Sequence, residues 1–275
     1  MYNPFPFDDP KPVNRPELSE KTISAVVSGG TPAVAKKFAA TVIENARKSN
    51  QILAFDGYTT VDWTLFLNLV ARECRIAGVE FVSIDQNREC FKSGEEIDKM
   101  IDPLLIWDTK IDPTLLYGKI YKGGYEGLLD EAKTVEFEEK VSALKGGKGK
   151  VVAVYGYGCL IPRFRKLYDV KCFFDITPKT SILRIRGGEY SNIGKERPDQ
   201  INRVIRRCYY CDFEVAVCNR RELLHNSAID FFFLADDPKS IVMMPFEAFS
   251  DICAQLVKYP FRAKPCYLEG VWGGS

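Results

Sequence analysis

Histidine is all but missing from this chain. His225 is the only one in 275 residues. A metal site built on two imidazoles is therefore excluded within one copy. A serine or cysteine nucleophile would have only His225 to take its proton. In RRELLHNSA that histidine reads as an exposed residue near a helix C-terminus. Excess charge is missing too. Lys and Arg total 38, Asp and Glu total 37, and the net charge is +1. No long-range field favours nucleic acid or an anionic membrane, so neither is expected as a partner. No apolar run approaches the roughly 20 residues that a membrane helix needs. The opening MYNPFPFDDPKPVNRPEL lacks the basic start and continuous apolar stretch of a signal peptide. Its prolines predict an extended surface arm. The nine cysteines are scattered, and an odd count without a secretion signal predicts reduced thiols in a cytoplasm. Cys159 and Cys172 sit in apolar runs and read as small core residues.

What is present is a hydrophobic content of 46%, enough to bury a real core. Thr31 to Lys48 carries helical apolar spacing through Val34, Phe38, Val42 and Ala46, with Pro32 suited to its first turn. Ile52 to Phe55 reads as a short buried strand. Asp62 to Ala77 is helical through Leu65, Leu69 and Cys74, and Gly78 ends it. Val79 to Ile84 is a second strand, followed at once by Asp85. This order implies a parallel pair with a right-handed crossover. Gly94 to Met100 reads as a short helix. Asp102-Pro103 and Asp112-Pro113 mark turns. Tyr125 to Leu144 reads as a solvated helix that ends in a flexible connector, Lys145 to Lys150.

Val151 to Tyr155 and Val170 to Ile176 are buried strands, with a helix expected between them at Arg163 to Tyr168. Ser181 to Arg207 is basic and helical on both sides of Gly187 and Gly188. CYYCDFEVAV, Cys208 to Val217, reads as a strand or ribbon. Ile229 to Leu234 is a further strand, and Phe246 to Val257 a last helix. The alternation predicts an α/β fold of three layers, a mainly parallel sheet with helices on both faces. Ligands of such sheets lie beyond the carboxyl ends of the strands. The Gly57 loop, Asp85 and the turn from Tyr155 to Gly158 are thus expected on one rim.

The most informative spacing lies in LAFDGYTTVDWT, Leu53 to Thr64. A phosphate-binding loop has the frame G-x-x-x-x-G-K-[ST]. Gly57 and Thr64 keep its ends, but Asp62 stands at the second glycine and Trp63 at the lysine. A carboxylate and an indole add negative charge and bulk where phosphate should sit. Thr64 could still bind a metal; helix capping or packing is the plainer role. Asp62 reads as an N-cap of its helix.

The layout resembles the uridine kinase and related nucleoside or sugar kinase branch of P-loop proteins. ILAFDG matches the strand entering the phosphate loop, and VEFVSID the next strand. VVAVYGYG and VKCFFDIT resemble the two later strands. SILRIRG resembles the arginine-bearing lid helix. The resemblance implies a P-loop NTPase-like domain with a degenerate loop and substrate near Asp85, the candidate catalytic group. It also implies phosphate or nucleotide binding by Gly57, Thr64, Arg184 and Arg186. Tyr155 replaces the acidic residue expected before Gly156, so a magnesium-organising carboxylate is missing as well.

A second resemblance is carried by DGYTTVDW, DPTLLYGKIYKGGYEGLLD and RRCYYCDFEV. These are similar to bacterial proteins of the class I mannose-6-phosphate isomerase type, in which a kinase-like region precedes a cupin domain. EGVWGGS resembles the start of that isomerase domain. The resemblance implies an arm and helix over 1–50, a degenerate kinase-like domain over 51–265, and the start of a linker or cupin over 266–275.

Cys208, Cys211, Cys218 and His225 offer three thiols and an imidazole for zinc, but the spacing is weak and no metal is expected. Arg184, Arg186, Lys195, Arg197, Arg203, Arg206 and Arg207 form the densest basic region. They either bind a phosphorylated metabolite or form a solvated face paired with Glu189, Glu196 and Asp199. Asp56, Asp85 and Asp175 fall near strand ends. The expected function is a kinase-like domain that catalyses no phosphoryl transfer. It binds a sugar phosphate or nucleotide, or packs on a cupin isomerase domain. Two alternatives stay open. One is a working nucleoside or sugar kinase using ATP and magnesium, in which lid arginines replace the lysine. The other is an assembly module.

Overall fold

The computed structural model describes residues 17–114 and 117–258. They fall into two units. One is Val27–Phe246; the other holds the described residues before Val27 and after Phe246. The chain begins with α1 (Glu20–Ala25), α2 (Thr31–Ala46), β1 (Gln51–Gly57), α3 (Thr64–Ile76) and β2 (Glu80–Asp85). Next come α4 (Gln86–Cys90), α5 (Gly94–Ile101), α6 (Glu131–Ala143), β3 (Lys150–Tyr155) and β4 (Val170–Asp175). It closes with α7 (Pro178–Arg186), α8 (Ile201–Arg207), a π-turn (Cys208–Asp212), α9 (Phe213–His225), β5 (Phe231–Leu234), β6 (Val242–Pro245) and α10 (Phe246–Leu256). No helix among the described residues is long and apolar enough to cross a membrane.

The larger unit is built on one sheet in the order β2-β3-β1-β4-β5-β6. All pairs are parallel except β5 with β6. β1, QILAFDG, is buried along its whole length, as a central parallel strand covered on both faces must be. Its odd positions face α2 and α3. Phe55 meets Phe38 of α2 at 5.8 Å and Phe66 of α3 at 6.0 Å. Phe174 of β4 and Phe233 of β5 extend that layer, stacked at 4.2 Å. Side chains alternate along a strand, so Asp56 points to the other face. There it reaches Asn219 of α9. The sheet thus carries helices on both faces, as the alternation predicts.

Connectivity locates the crevice. From β1 the chain passes through α3 to β2 on one side, while β3 leads to β4 on the far side of β1. Strand order therefore reverses around the carboxyl end of β1, the place where open sheets of this kind bind ligands.

In the smaller unit Ser19 caps α1 by accepting the Thr22 N–H at 3.1 Å. The Thr22 hydroxyl donates to Asp251 of α10 at 2.6 Å.

Three expectations need correction. Cys208 to Val217 is helical, not a strand. Its buried residues continue as Cys208, Cys211, Val215, Ala216, Asn219 and Leu223, a helical spacing hidden by aromatic and β-branched composition. Arg163 to Tyr168 holds only a 3-10 turn at Arg165–Leu167. The helix expected from Tyr125 starts at Glu131, where Asp130 accepts the Lys133 N–H at 3.1 Å. The segment 266–275, which carries the cupin likeness, lies outside the described residues, as does the proline-rich arm over 1–16.

Candidate functional site

The site begins at the last residues of β1. Asp56 is completely buried. Its Oδ1 accepts the N–H groups of Gly57 at 2.7 Å and Gly158 at 3.0 Å. Its Oδ2 accepts the Leu160 N–H at 2.9 Å and the Asn219 amide at 3.0 Å. One carboxylate thus ties β1, the loop after β3, and α9 together. Burial pushes its pKa up to about 6, and the four donors pull the other way.

The loop after Asp56 is folded upon itself. Tyr58, Thr59, Thr60, Val61 and Trp63 are all buried. The Gly57 N–H is held by Asp56, and the Tyr58 N–H donates to Phe174 O at 3.0 Å. The Thr60 N–H donates to the Tyr157 hydroxyl at 3.0 Å, and the Val61 N–H to Tyr58 O at 3.1 Å. The Thr64 N–H, at the start of α3, donates to Asp62 Oδ1 at 2.8 Å. A phosphate-binding loop leaves such amides free for the anion. Here a side-chain carboxylate already stands at the helix N-terminus, although the N-cap position itself is Trp63 and Asp62, expected there, lies one residue earlier. A Cβ on Gly57 would meet Val61 Cγ1 at 2.5 Å and Trp63 Cζ2 at 3.1 Å. The indole therefore lies over the glycine.

Arg184 of α7 clamps this loop. Its guanidinium donates to Thr60 O at 2.8 Å and to Asp236 O at 2.8 Å. Ser181, one turn earlier, donates to Thr59 O at 2.9 Å. Between these contacts Thr60 is held at φ 75°, a conformation costly for a β-branched residue. Arg184→Ala removes two charge-assisted hydrogen bonds and is expected to cost about 2 kcal/mol. Hydrogen exchange checks this: faster exchange at Thr60 and Val61 with β1 unchanged is the expected pattern.

Above the loop opens a cavity of about 730 Å³, lined by Trp63, Thr64, Tyr155, Tyr157, Arg184 and Glu189 among others. A second cleft of about 770 Å³ borders Asp85, Arg88, Lys92, Lys133, Tyr157 and Arg197. Tyr157 is common to both. Asp85 N-caps α4, accepting the Asn87 N–H at 3.0 Å and the Arg88 N–H at 3.4 Å. Arg88 Nε lies 3.5 Å from its other oxygen. Burial raises its pKa against these contacts. Asp175 is paired with Arg220 at 2.9 Å.

The structure thus gathers Thr64 and Arg184 around the first cavity, with Gly57 beneath the loop. Asp85 lies in the second cleft. Arg186 is elsewhere: it is exposed and borders a separate groove with Ile182, Ile185 and Ile201. Most of the basic region is spent on acids other than those expected. Lys195 pairs with Asp98 at 2.7 Å as well as Asp199 at 2.9 Å. Arg203 pairs with Asp102 at 2.6 Å and Arg207 with Asp98 at 2.8 Å. Arg206 stacks on Trp107 at 4.6 Å beside Asp112. These contacts fasten α8 to the α5 region. Among the described residues no group of three or more His, Cys, Asp or Glu is placed to hold a metal. Cys208 and Cys211 are buried while His225 is exposed. Sequence reasoning missed the tying role of Asp56, the place of Tyr157 between the clefts, and Tyr190, which lines the first cavity and donates to Asp212 at 2.9 Å.

The family described as Domain of unknown function (DUF8485) matches residues 30–258. No protein of curated function matches the chain. Several solved structures are similar to parts of the chain. A candidate fructose transport system kinase from Silicibacter sp. TM1040 is 13% identical with a TM-score of 0.44, covering 68% of this chain and 94% of its own. A candidate uridine kinase from Bacillus stearothermophilus is 10% identical, TM-score 0.44, covering 72% and 97%. Phosphoribulokinase from Rhodobacter spheroides is 12% identical, TM-score 0.40, covering 77% and 95%.

Proposed function

We propose that this chain, which belongs to the family described as Domain of unknown function (DUF8485), is a kinase-like binding domain. It takes a nucleotide or a sugar phosphate at the carboxyl rim of its sheet and transfers no phosphoryl group. One observation carries the reading. The amides of Gly57, Tyr58, Thr60 and Val61 already have acceptors in the protein, and Asp62 accepts the Thr64 N–H at the start of α3. Phosphoryl transfer depends on positioned positive charge at the phosphates. No lysine supplies it there, four of the loop amides are already engaged, and Arg184 is turned to two carbonyls. Binding remains feasible, because both clefts have the size of small-molecule sites.

The test is incubation with ATP, magnesium and a panel of nucleosides and hexoses, with ADP as the readout. No turnover above buffer is expected, while calorimetry with the same nucleotides and with hexose phosphates records binding. Robust ADP release that Thr64→Ala abolishes would overturn the reading in favour of an active kinase.

A further inference from the structure

Two polar atoms at the edge of the first cavity lack partners. They are Trp63 Nε1 and Thr60 Oγ1. Both residues border that cavity and are more than nine-tenths buried, at 8% and 7% exposure. Native interiors seldom leave such groups unpaired. Thr60 is also the strained residue of the loop, and strain of this kind collects at binding sites. The walls are aromatic. Trp63 lies 6.0 Å from Tyr155 and 5.3 Å from Tyr157, and Tyr190 stands 6.3 Å beyond Tyr157. The ionised side chains of the lining balance: Arg75 and Arg184 against Asp62 and Glu189. Since Arg184 is engaged with two carbonyls, this end of the site offers little to an anion.

The second cleft carries one cation in excess: Arg88, Lys92, Lys133, Lys195 and Arg197 against Asp85, Glu95, Asp98 and Glu196. Arg88 is paired with Asp85, and Lys92 and Lys133 donate to carbonyls, so the free charge is that of Arg197, which is exposed without a partner among the described residues. Tyr157 separates the two spaces and borders both.

We infer that the loop end of the site seats the base ring of a nucleotide, with the phosphate lying across Tyr157 in the second cleft. The ligand then lies reversed relative to one gripped by a phosphate loop. The ring stacks on the Trp63 and Tyr155 wall, where any base face serves. Its edge atoms meet the unpartnered indole N–H and threonine hydroxyl. This rests on the nucleotide-binding reading above and adds the direction of binding and the moiety recognised.

The experiment is a calorimetric titration of the full chain with AMP, UMP, adenosine, uridine and inorganic pyrophosphate. Free nucleosides are expected to bind within about tenfold of their monophosphates, as stacking dominates. Pyrophosphate in large excess is expected to displace neither. Trp63→Phe, which keeps the ring but removes the N–H, is expected to weaken adenosine and AMP alike by about tenfold. Arg197→Ala, on the exposed surface, is expected to weaken AMP and leave adenosine unchanged. Thermal melts confirm that both variants are folded. If AMP binds and pyrophosphate displaces it from the loop, or if removing the phosphate abolishes binding, the orientation is wrong and the nucleotide reading survives. If neither nucleotides nor nucleosides bind, the nucleotide reading fails and the orientation with it.

Discussion

Asp56→Ala is expected to unfold at a free energy about 3–5 kcal/mol below that of the parent protein at pH 7, because four buried donors lose their acceptor at once. The substitution strands the N–H groups of Gly57, Gly158 and Leu160 and the Asn219 amide. Each is buried, and each orphaned donor costs about 1–3 kcal/mol before relaxation. Loss of the desolvated carboxylate offsets part of that sum. Chemical denaturation measures the difference. A loss under 1 kcal/mol would show that the donors find water, and that Asp56 does not hold the rim together.

The same residue gives a pH signature. Its pKa is about 6 in the folded chain against the ordinary 3.8. The folded state therefore binds the proton more tightly than the unfolded one. This contribution to stability is fully present below about 3.8 and lost as pH rises through about 6. At about 1.4 kcal/mol per pH unit, it amounts to about 2–3 kcal/mol across that window. Asp56→Asn removes the titration and leaves every other group in place. The stability advantage of the parent over this variant should thus grow on acidification from pH 7 to pH 4. A constant or shrinking advantage would contradict the shift.

Trp63→Lys would put the missing lysine back in the loop. It is nevertheless expected to cost about 3–5 kcal/mol, as other large aromatic truncations in cores do, and to produce no ADP. The indole is 8% exposed, packed against Tyr155 and Tyr157, and covers Gly57. An ammonium there is desolvated, and the loop's one carboxylate, Asp62, is already engaged by the Thr64 N–H. The amides at Tyr58, Thr60 and Val61 also keep their internal acceptors. Denaturation together with an ADP assay tests both parts. A variant near parental stability that hydrolyses ATP would show a loop ready to regrip phosphate, and the non-catalytic reading would fall.

The sheet was legible in the sequence because its central strands are covered on both faces. ILAF, VVAV and VKCFF read as unbroken apolar runs for that reason. α3 was legible from its period and from Gly78 at its end, and α7 only from Ser181 onward, its Thr177 cap and Pro178 start going unread. β6 was not singled out, being four residues of VMMP at an edge. The π-turn and α9 were misread because Tyr209, Tyr210 and Phe213 imitate strand composition. At the site, the bulk of Trp63 followed from the loop spacing alone, while the N-cap of α3 falls one residue later than the spacing suggested. The cluster around Asp56 did not. Its partners Gly158, Leu160 and Asn219 lie more than 100 residues away in sequence, and no local spacing joins them. The one available signal was a carboxylate at the end of a wholly apolar strand. Arg184 and Arg186 illustrate a missed geometric argument: residues two apart on a helix face different ways, so one pocket could not hold both.

The position of β1 constrains how the chain can be assembled. Its neighbours arrive late: Gln51 pairs with Val151, and Leu53 with Val170. During synthesis this wholly buried strand must wait for over a hundred further residues before both its edges are closed. Long loop closures of this kind slow folding and leave sticky edges open meanwhile. Any fragment ending before Val170 carries a bare, hydrophobic strand edge and should precipitate or recruit chaperones, whatever its first helices do.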